Sequence, residues 1–218
     1  RVSGASVVFE DERVLAVSKP AGQTTIPGRG EVGESLLARL ERERGVKIFV
    51  VHRLDREASG LVLFAKDAQT HRLLCAQFEA RRAKKVYLAA VLGRMEGEGS
   101  IEEPLREFGS GRVAPSPQGK PCATHWRVER PLGGSTLLRV EPSTGRKHQI
   151  RAHLAFLGHP ILGDPRYGPA PRPVGGVRRL MLHAHSLRVE AGRVYDLSVE
   201  PPAPIAADHS RQALKASA

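Results

Sequence analysis

The 218-residue chain has little cysteine, few aromatic side chains and no long apolar run. Its two cysteines, Cys75 and Cys122, are too few for a disulfide framework or for a four-cysteine zinc site. No apolar stretch reaches the roughly 18 residues that a membrane-spanning helix needs. The residues from Arg1 to Gly4 lack the apolar segment of a secretory signal. We therefore expect a globular cytoplasmic protein that has no membrane contact.

Acidic residues are also scarce relative to basic ones. The chain has 34 Lys and Arg against 23 Asp and Glu, which gives a formal net charge of +11. Two segments concentrate this excess. Four cations lie within residues 81–85 and seven within residues 145–179: Arg81, Arg82, Lys84, Lys85, Arg146, Lys147, Arg151, Arg166, Arg172, Arg178 and Arg179. Such clusters favour a polyanionic partner, although a solvated arginine-rich surface would have the same composition.

The hydrophobic pattern predicts more strands than helices. Strands are expected at residues 6–10, 14–18, 48–51, 61–65, 85–92, 124–129, 136–140 and 194–200. One helix is expected at 34–44, and a second follows Asp67 as its N-cap, with Leu73, Leu74 and Phe78 as its apolar face. Residues 108–121 and 165–176 are rich in Pro and Gly and are expected to be connections. This order lacks regular βαβ alternation and indicates an α+β fold with a central mixed, largely antiparallel sheet flanked by helices and loops.

One glycine pattern has a second interpretation. Gly28 to Gly33 matches G-x-G-x-x-G, as in dinucleotide-binding folds, and would imply an NAD-linked enzyme. That fingerprint requires a buried strand directly before the first glycine, and Pro27 disfavours one there. The chain also has no G-x-x-x-x-G-K-[ST] phosphate loop. We therefore expect no nucleotide cofactor.

The segment from His52 to Gly60 is the first candidate for chemistry. It lies between two predicted strands and places Asp55 between two cations, Arg53 and Arg56. Neighbouring cations stabilise a charged carboxylate, which suits a nucleophile or a base. A surface turn held by salt bridges would have the same composition, so this segment alone leaves both interpretations open.

The second candidate is the segment from Thr144 to Leu154, a turn followed by a short helix ending near Gly158. In a helix, one face would be polar and another apolar: His148, Arg151 and Ala155 on the first, and Ile150, Leu154 and Leu157 on the second. The histidines His148, His153 and His159 do not have the i, i+4 spacing with an intervening acid that is typical of a zinc hydrolase helix. No metal site is expected here.

Several of these segments, taken in order, resemble the RluA-type family of RNA pseudouridine synthases from Val8 to about Glu200. The resemblance rests on Asp11 with Lys19–Gly22, His52–Asp55 with Ser59–Gly60, Lys85–Tyr87, Gly145–Arg151 with His153–Leu154, and Gly158–Asp164 with Tyr167–Gly168. It implies a single catalytic domain over residues 1–218, with its core at about 6–200, and no S4-like RNA-binding domain in this chain. A departure is Ala58, which stands where the family commonly has a threonine.

The resemblance also implies roles for individual residues. Asp55 would be the catalytic residue, Tyr87 the active-site tyrosine and Arg151 the basic partner. Arg53 would enter the RNA stack as the target uridine flips out. The cationic segments suggest phosphate contacts from Lys84, Lys85, Arg146, Lys147 and His148.

The implied activity is isomerisation of specific uridines in structured ribosomal or transfer RNA. This reaction involves no net redox change and no hydrolysis, so no cofactor and no metal are expected. We expect the enzyme to act as a monomer on RNA. The alternative is a non-catalytic RNA-binding or ribosome-associated protein with the same basic surface, against which the joint presence of Asp55, Tyr87 and Arg151 argues.

Overall fold

The computed structural model describes residues 4–28, 33–169, 177, 179–202 and 205. Its secondary structure comprises β1 (Ser6–Glu10), β2 (Val14–Lys19), α1 (Leu36–Arg44), β3 (Phe49–Val50), β4 (Ser59–Ala65), α2 (Ala68–Glu79), β5 (Lys84–Leu92), β6 (Glu98–Ile101), β7 (Leu105–Glu107), β8 (Val113–Pro115), β9 (Thr124–Leu132), β10 (Ser135–Pro142), α3 (Gln149–Phe156), β11 (Leu182–Glu190) and β12 (Val194–Ser198). None of the helices in these ranges is long and apolar enough to cross a membrane.

The chain divides into two compact units. The first comprises Arg1–Lys85 and His183–Glu200, and the second comprises Val86–Leu182 and Pro201–Ala218. Strand β5 begins in the first unit and continues into the second.

In the first unit, β4 lies between β2 and β11. Strand β1 pairs with β2, β2 and β3 pair with β4, and β12 pairs with β11, all antiparallel. Strands β4 and β11 pair in parallel. Every residue of β4 is buried, as expected for a strand with neighbours on both sides and with both faces covered. The hydrophobic core of the first unit includes Leu63, Leu74 and Tyr195.

In the second unit, β5, β10, β9 and β6 form an antiparallel series, in which β10 pairs with β5 and β9, and β6 pairs with β9. Strands β7 and β8 form a separate antiparallel ribbon. A small cluster packs this ribbon against α3 through Leu105, Val113, Ala152 and Tyr167. Together with the mixed strands of the first unit, this arrangement confirms the α+β class with a mixed, largely antiparallel sheet.

The helix limits follow the expected capping chemistry. The Ser35 side chain accepts a hydrogen bond from the Ala38 N–H at the start of α1, and Gly45 ends that helix in the left-handed conformation. Asp67 caps α2 as expected, by accepting from the Thr70 N–H at 2.8 Å. Before α1, residues 23–28 form no strand. A dinucleotide-binding fingerprint would need a strand at this place, directly before its first glycine. Residues 29–32 of that glycine pattern lie outside the described residues.

Some expectations were wrong. Leu73 of α2 is 41% exposed and Leu157 after α3 is 37% exposed, so neither belongs to a buried face. The strand predicted at 48–51 is limited to Phe49–Val50, and β8 lies within the expected connection 108–121. Strands β6, β7 and β11 were not predicted. The sequence of β11 is interrupted by His183, His185 and Ser186, and tertiary burial outweighs this polar composition.

Candidate active site

The loop between β3 and β4 contains the first candidate residues, and its backbone is fixed at several points. The buried Thr25 hydroxyl accepts from the Leu54 N–H at 3.2 Å and donates to the Leu54 carbonyl at 3.1 Å. The Ala58 N–H donates to the Asp55 carbonyl at 3.2 Å and closes a turn. The Asp55 side chain itself is partly exposed. The hydrogen bonds of Leu54 and Ala58 therefore fix the backbone on both sides of Asp55.

Lys19 at the end of β2 joins this loop to the preceding one. Its side chain is 1% exposed. Its ammonium group lies within hydrogen-bond distance of four backbone carbonyls: Pro20 at 2.9 Å, Gln23 at 2.8 Å, Arg56 at 3.2 Å and Ala58 at 2.6 Å. Burial lowers the pKa of Lys19 to about 8, against the opposing effect of the Asp55 and Glu57 charges. Lys19 is thus a buried cation that links the segment after β2 to the residues that follow Asp55.

The two arginines beside Asp55 have different surroundings. The Arg56 guanidinium donates to the Gly22 carbonyl at 3.1 Å, and the Gly22 N–H donates to the Arg56 carbonyl at 2.7 Å. Arg56 therefore helps to join the two loops. Arg53 is exposed. Ala58 is buried at 2% exposure, and its carbonyl is one of the Lys19 acceptors, so the loop is braced at this position without a threonine hydroxyl.

His52 has a structural contact rather than a catalytic one. Its Nε2 accepts the Leu63 N–H at 2.9 Å, and its ring stacks on Phe78 at a centroid distance of 5.0 Å. Burial, with a smaller effect from the Lys85 charge, lowers the pKa of His52 to about 3. The imidazole is therefore neutral at physiological pH, and the lone pair of Nε2 is already engaged.

Ser59 and His183 brace the start of β4 against β11. The Ser59 hydroxyl lies 3.0 Å from His183 Nδ1, and His183 Nε2 lies 3.1 Å from the Val199 carbonyl. A carbonyl can only accept, so Nε2 carries the proton and Nδ1 accepts from the serine. Both side chains are buried. This network supports the strand that follows the Asp55 loop.

In the second unit, α3 presents a buried ion pair. Arg151 donates to both carboxylate oxygens of Asp164, from Nε at 2.8 Å and from a terminal nitrogen at 2.9 Å. Both side chains are at most 1% exposed. Burial would raise the pKa of Asp164, but the Arg151 hydrogen bonds and charge and the N–H groups of Arg166 and Tyr167 outweigh it, so the pKa is lowered. The bidentate contact holds the Arg151 guanidinium in one plane.

Tyr167 extends this cluster to the turn before α3. Its hydroxyl accepts from the Val113 N–H at 2.9 Å and lies 3.0 Å from His148 Nδ1. Arg151 lies over its ring at 5.4 Å. His148 adopts a left-handed conformation, with φ of 50°, at the N-cap of α3. Tyr167 therefore ties His148 and Arg151 to strand β8.

Gln149 and His153 of α3 form structural hydrogen bonds. Gln149 donates to the Ala123 carbonyl at 2.9 Å and accepts from the Arg146 N–H at 3.1 Å. His153 lies 2.9 Å from the Thr124 hydroxyl and 2.9 Å from the Glu103 carbonyl. The expected division into a polar and an apolar face is wrong, because Arg151 of the predicted polar face is as buried as Ile150 and Leu154, and Leu157 of the predicted apolar face is exposed.

Among the expected cations, exposure varies. Lys84 and Arg146 are exposed, whereas Lys85 is half-buried and its pKa is lowered by burial to about 8. Lys147 forms an ion pair with Glu107. Arg151 is buried and does not belong to a surface patch, and Arg172 and Arg178 lie outside the described residues.

Tyr87 lies on β5 opposite Val140 of β10 and is partly exposed, while its neighbours Val86 and Leu88 are buried. Asp55 belongs to the first unit, and Tyr87 and Arg151 belong to the second. Sequence reasoning did not assign roles to Lys19, Asp164 or Tyr167. Their signal in the sequence is their place in the motifs Lys19–Gly22 and Gly158–Gly168, which indicate a family resemblance but not which residues they contact.

No group of three or more metal-ligating His, Cys, Asp or Glu side chains occurs within the described ranges.

The sequence profile of the RNA pseudouridylate synthase family matches residues 13–156. The chain belongs to this family. The match includes the Asp55 loop, Tyr87 and α3.

Similar proteins in bacteria extend the match over most of the chain. Dual-specificity RNA pseudouridine synthase RluA of Vibrio cholerae is 40% identical over 186 residues, which cover 83% of this chain and 75% of the relative. Ribosomal large subunit pseudouridine synthase D of Nitrosomonas europaea is 38% identical over 196 residues, which cover 84% of this chain and 57% of the relative. The chain thus spans less than two thirds of the length of the synthase D relatives that it matches. These similarities support the RluA-type assignment.

A solved structure of human RNA pseudouridylate synthase domain containing 1 has the same fold. It superposes with a TM-score of 0.80 at 25% identity and covers 97% of this chain and 94% of that protein. The human domain containing 4 superposes with a TM-score of 0.77 at 24% identity. Both confirm the pseudouridine synthase fold.

Proposed function

We propose that this chain is a single pseudouridine synthase domain that isomerises specific uridines in structured RNA, and that ribosomal RNA contains its target. The observation that carries the proposal is the loop of the first unit in which Lys19 and Thr25 fix the backbone on either side of Asp55, a partly exposed residue. Family membership and the synthase names of the relatives support the same reaction. We also propose that the domain acts as a monomer in the cytoplasm.

The proposed reaction needs a carboxylate and no external reagent. The bond from uracil N1 to the sugar C1′ breaks, the base turns, and a bond forms from C5 to C1′. One proton leaves C5 and one proton is taken up at N1, so atoms and electrons balance. Asp55 starts this sequence either by covalent attack on the sugar or base or by removal of the C2′ proton. Both routes use the ionised carboxylate.

We assign Tyr87 and Arg151 to the same reaction. Tyr87 would stack on the extruded base and bring its hydroxyl to the proton transfer at C5. Arg151 would act as the basic partner of Asp55. The bidentate contact with Asp164 supports this role, because it fixes the orientation of the guanidinium.

Recognition of RNA is assigned to cationic residues. Arg53, which is exposed, would enter the base stack when the uridine flips out. Lys84 and Arg146 are exposed and would contact phosphates directly. Lys85, Lys147 and His148 would also contact phosphates. Lys147 would have to exchange its Glu107 partner for a phosphate.

The decisive test is Asp55→Asn. The amide keeps the shape of the side chain and removes its charge, so we expect RNA binding to persist and turnover to fall by several orders of magnitude, each factor of ten being about 1.4 kcal/mol of barrier. Pseudouridines would be mapped chemically on an unmodified ribosomal RNA transcript after incubation with each variant. Near-normal pseudouridine formation by Asp55→Asn would overturn the assignment.

A second variant, Arg53→Ala, tests the base-flipping role and is compared with Asp55→Asn on two substrates. Filling the gap left by an extruded base matters in a stacked RNA, where unstacking costs a few kcal/mol, and matters little in a short single-stranded oligonucleotide. We expect Arg53→Ala to lose far more activity on the transcript than on the oligonucleotide, whereas Asp55→Asn is inactive on both. Equal losses by Arg53→Ala on the two substrates would contradict the flipping role.

A further inference from the structure

A cationic groove of about 470 Å³ lies within the second unit, beside the turn that precedes α3. Its rim contains four cations and one acid. These are Arg106 of β7, Lys120 of the segment after β8, Arg146 and Lys147 of the turn, and Glu107 of β7. The floor includes Leu105 and Val113, which are 4% and 3% exposed. The groove therefore combines four cationic side chains with a floor of buried aliphatic residues.

The walls of the groove are held together by backbone hydrogen bonds. The Leu105 N–H donates to the Lys120 carbonyl at 3.1 Å, and the Lys120 N–H donates to the Leu105 carbonyl at 2.8 Å. Gly119 permits this approach, because a Cβ there would lie 2.6 Å from the Leu105 backbone. The Tyr167 hydroxyl bonds the Val113 N–H and attaches the ribbon β7–β8 to the α3 side. The cations thus project from a preformed frame.

The charge of the groove is only partly compensated. Glu107 pairs with Lys147. Arg106 lies over the Phe108 ring at 5.6 Å. Within the part of the chain that the structure describes, neither Arg106 nor Lys120 forms an ion pair. An exposed rim with uncompensated positive charge attracts an anion.

The composition of the lining selects the kind of anion. Ligand pockets of this size usually have apolar and aromatic walls that hold a small molecule. None of the groove-lining residues, all of which are described, is aromatic, so a nucleobase would find no aromatic ring to stack on. Charge without base recognition is typical of contacts to a nucleic-acid backbone.

We propose that this groove binds the sugar–phosphate backbone of the RNA substrate, with Arg106 and Lys120 as binding residues in addition to Arg146 and Lys147. The RNA partner rests on the proposed function, while the groove and its cations do not. Arg106 and Lys120 lie outside the motifs that carry the family resemblance, and only the fold brings them beside the α3 turn.

The test compares two double variants of equal charge. Arg106→Gln/Lys120→Gln removes two cations of the groove. Arg127→Gln/Arg188→Gln removes two exposed cations elsewhere, each of which faces a carboxylate. Binding of an unmodified ribosomal RNA transcript would be measured from 50 to 200 mM salt in the Asp55→Asn background, so that turnover plays no part. Thermal unfolding would verify that both variants fold.

We expect the groove variant to reduce the slope of log K against log salt by roughly 1.4 to 1.8, that is, about 0.7 to 0.9 per phosphate contact. With Asp55 intact, KM for the transcript should rise while kcat stays near that of the control. Equal salt slopes for the two double variants would overturn the proposal, even if the chain makes pseudouridine. A smaller salt slope and a lower RNA affinity in the groove variant would support the groove proposal, even if the wild-type protein made no pseudouridine.

A final arm uses uridine monophosphate. If the groove binds extended RNA, this nucleotide at millimolar concentration should leave RNA affinity unchanged. If it competes with RNA and stabilises wild type but not the groove variant, the groove is a mononucleotide site and the backbone proposal is wrong.

Discussion

The imidazole of His52 accepts a backbone hydrogen bond of β4 at the point where β3 has ended. Strand β3 pairs Val50 with Phe64, and the next N–H on that side, from Leu63, donates to His52 Nε2. A side chain thus continues the hydrogen bonding of a strand that has only two residues. Protonation of Nε2 would break this contact.

His52 should therefore make stability depend on pH. The pKa of the His52 imidazole is 6.5 in the unfolded chain and about 3 in the folded protein. The unfolded chain takes up the proton first, so the contribution is complete above pH 6.5 and is lost as the pH falls towards 3. The slope is about 1.4 kcal/mol per pH unit for one proton. We expect His52→Gln, whose amide oxygen can accept the same N–H, to remove that slope.

The measurement is urea unfolding at several pH values between 4 and 6.5 for wild type and variant. His153 and Asp164 also have lowered pKa values, but they titrate in both proteins and cancel in the comparison. The loss of stacking on Phe78 adds a constant difference that leaves the slope unchanged. Parallel curves for the two proteins would show that the pKa of His52 is the same in the folded and unfolded chain.

Among the elements, β4 and β11 approach each other through a glycine. Gly60 has φ of 118°, and a Cβ at this position would lie 2.3 Å from the Ala184 carbonyl oxygen and 2.5 Å from its nitrogen. Both contacts involve backbone atoms, which cannot rotate away as a side chain could. Gly60 thus permits the parallel pairing that follows directly after the Asp55 loop.

Gly60→Ala should be strongly destabilising. Backbone strain alone costs about 1–3 kcal/mol, and the collision with β11 adds to it, so we expect a loss above about 3 kcal/mol. Gly133→Ala is the control, because Gly133 also has a positive φ, of 63°, but a Cβ there meets no atom within 4 Å. We expect about 1–2 kcal/mol for it. Similar losses in urea unfolding would mean that β4 and β11 separate at little cost.

For the whole molecule, net charge overstates the number of cations available to a partner. Arg151 is buried against Asp164, and Lys147 is paired with Glu107. Exposed cations such as Lys84 and Arg146 remain. If the protein makes about five phosphate contacts, raising the salt concentration from 50 to 200 mM should weaken RNA binding by about two orders of magnitude.

Lys84→Gln tests one of these contacts. We expect it to reduce the salt slope by roughly 0.7 to 0.9 and to leave the choice of uridine unchanged, because phosphate contacts carry no sequence information. Arg188→Gln, which removes an exposed cation that lies 2.7 Å from Asp196, is the control. A slope equal to that of the control would place Lys84 outside the RNA interface.

Local patterns predicted those elements whose signals are local. Asp67 and Gly45 mark helix limits through their own hydrogen bonds and conformation, and the alternation before Lys19 marks β1 and β2. Strand β11 escaped prediction because it is stabilised by pairing with β4, which is distant in the sequence. The motifs containing Asp55, Tyr87 and Arg151 were also visible locally, but their catalytic roles remain predictions.

The sequence by itself determined the family, the α+β class and the identity of the residues that chemistry would need, because these depend on residue type and order. Tertiary structure decided what those residues touch. It made His52 a hydrogen-bond acceptor for β4, buried Arg151 against Asp164, gathered four carbonyls around Lys19, and brought Arg106 and Lys120 to one groove. Most of these contacts join segments that are separated along the chain, and burial, which sets their strength, is a property of the folded molecule.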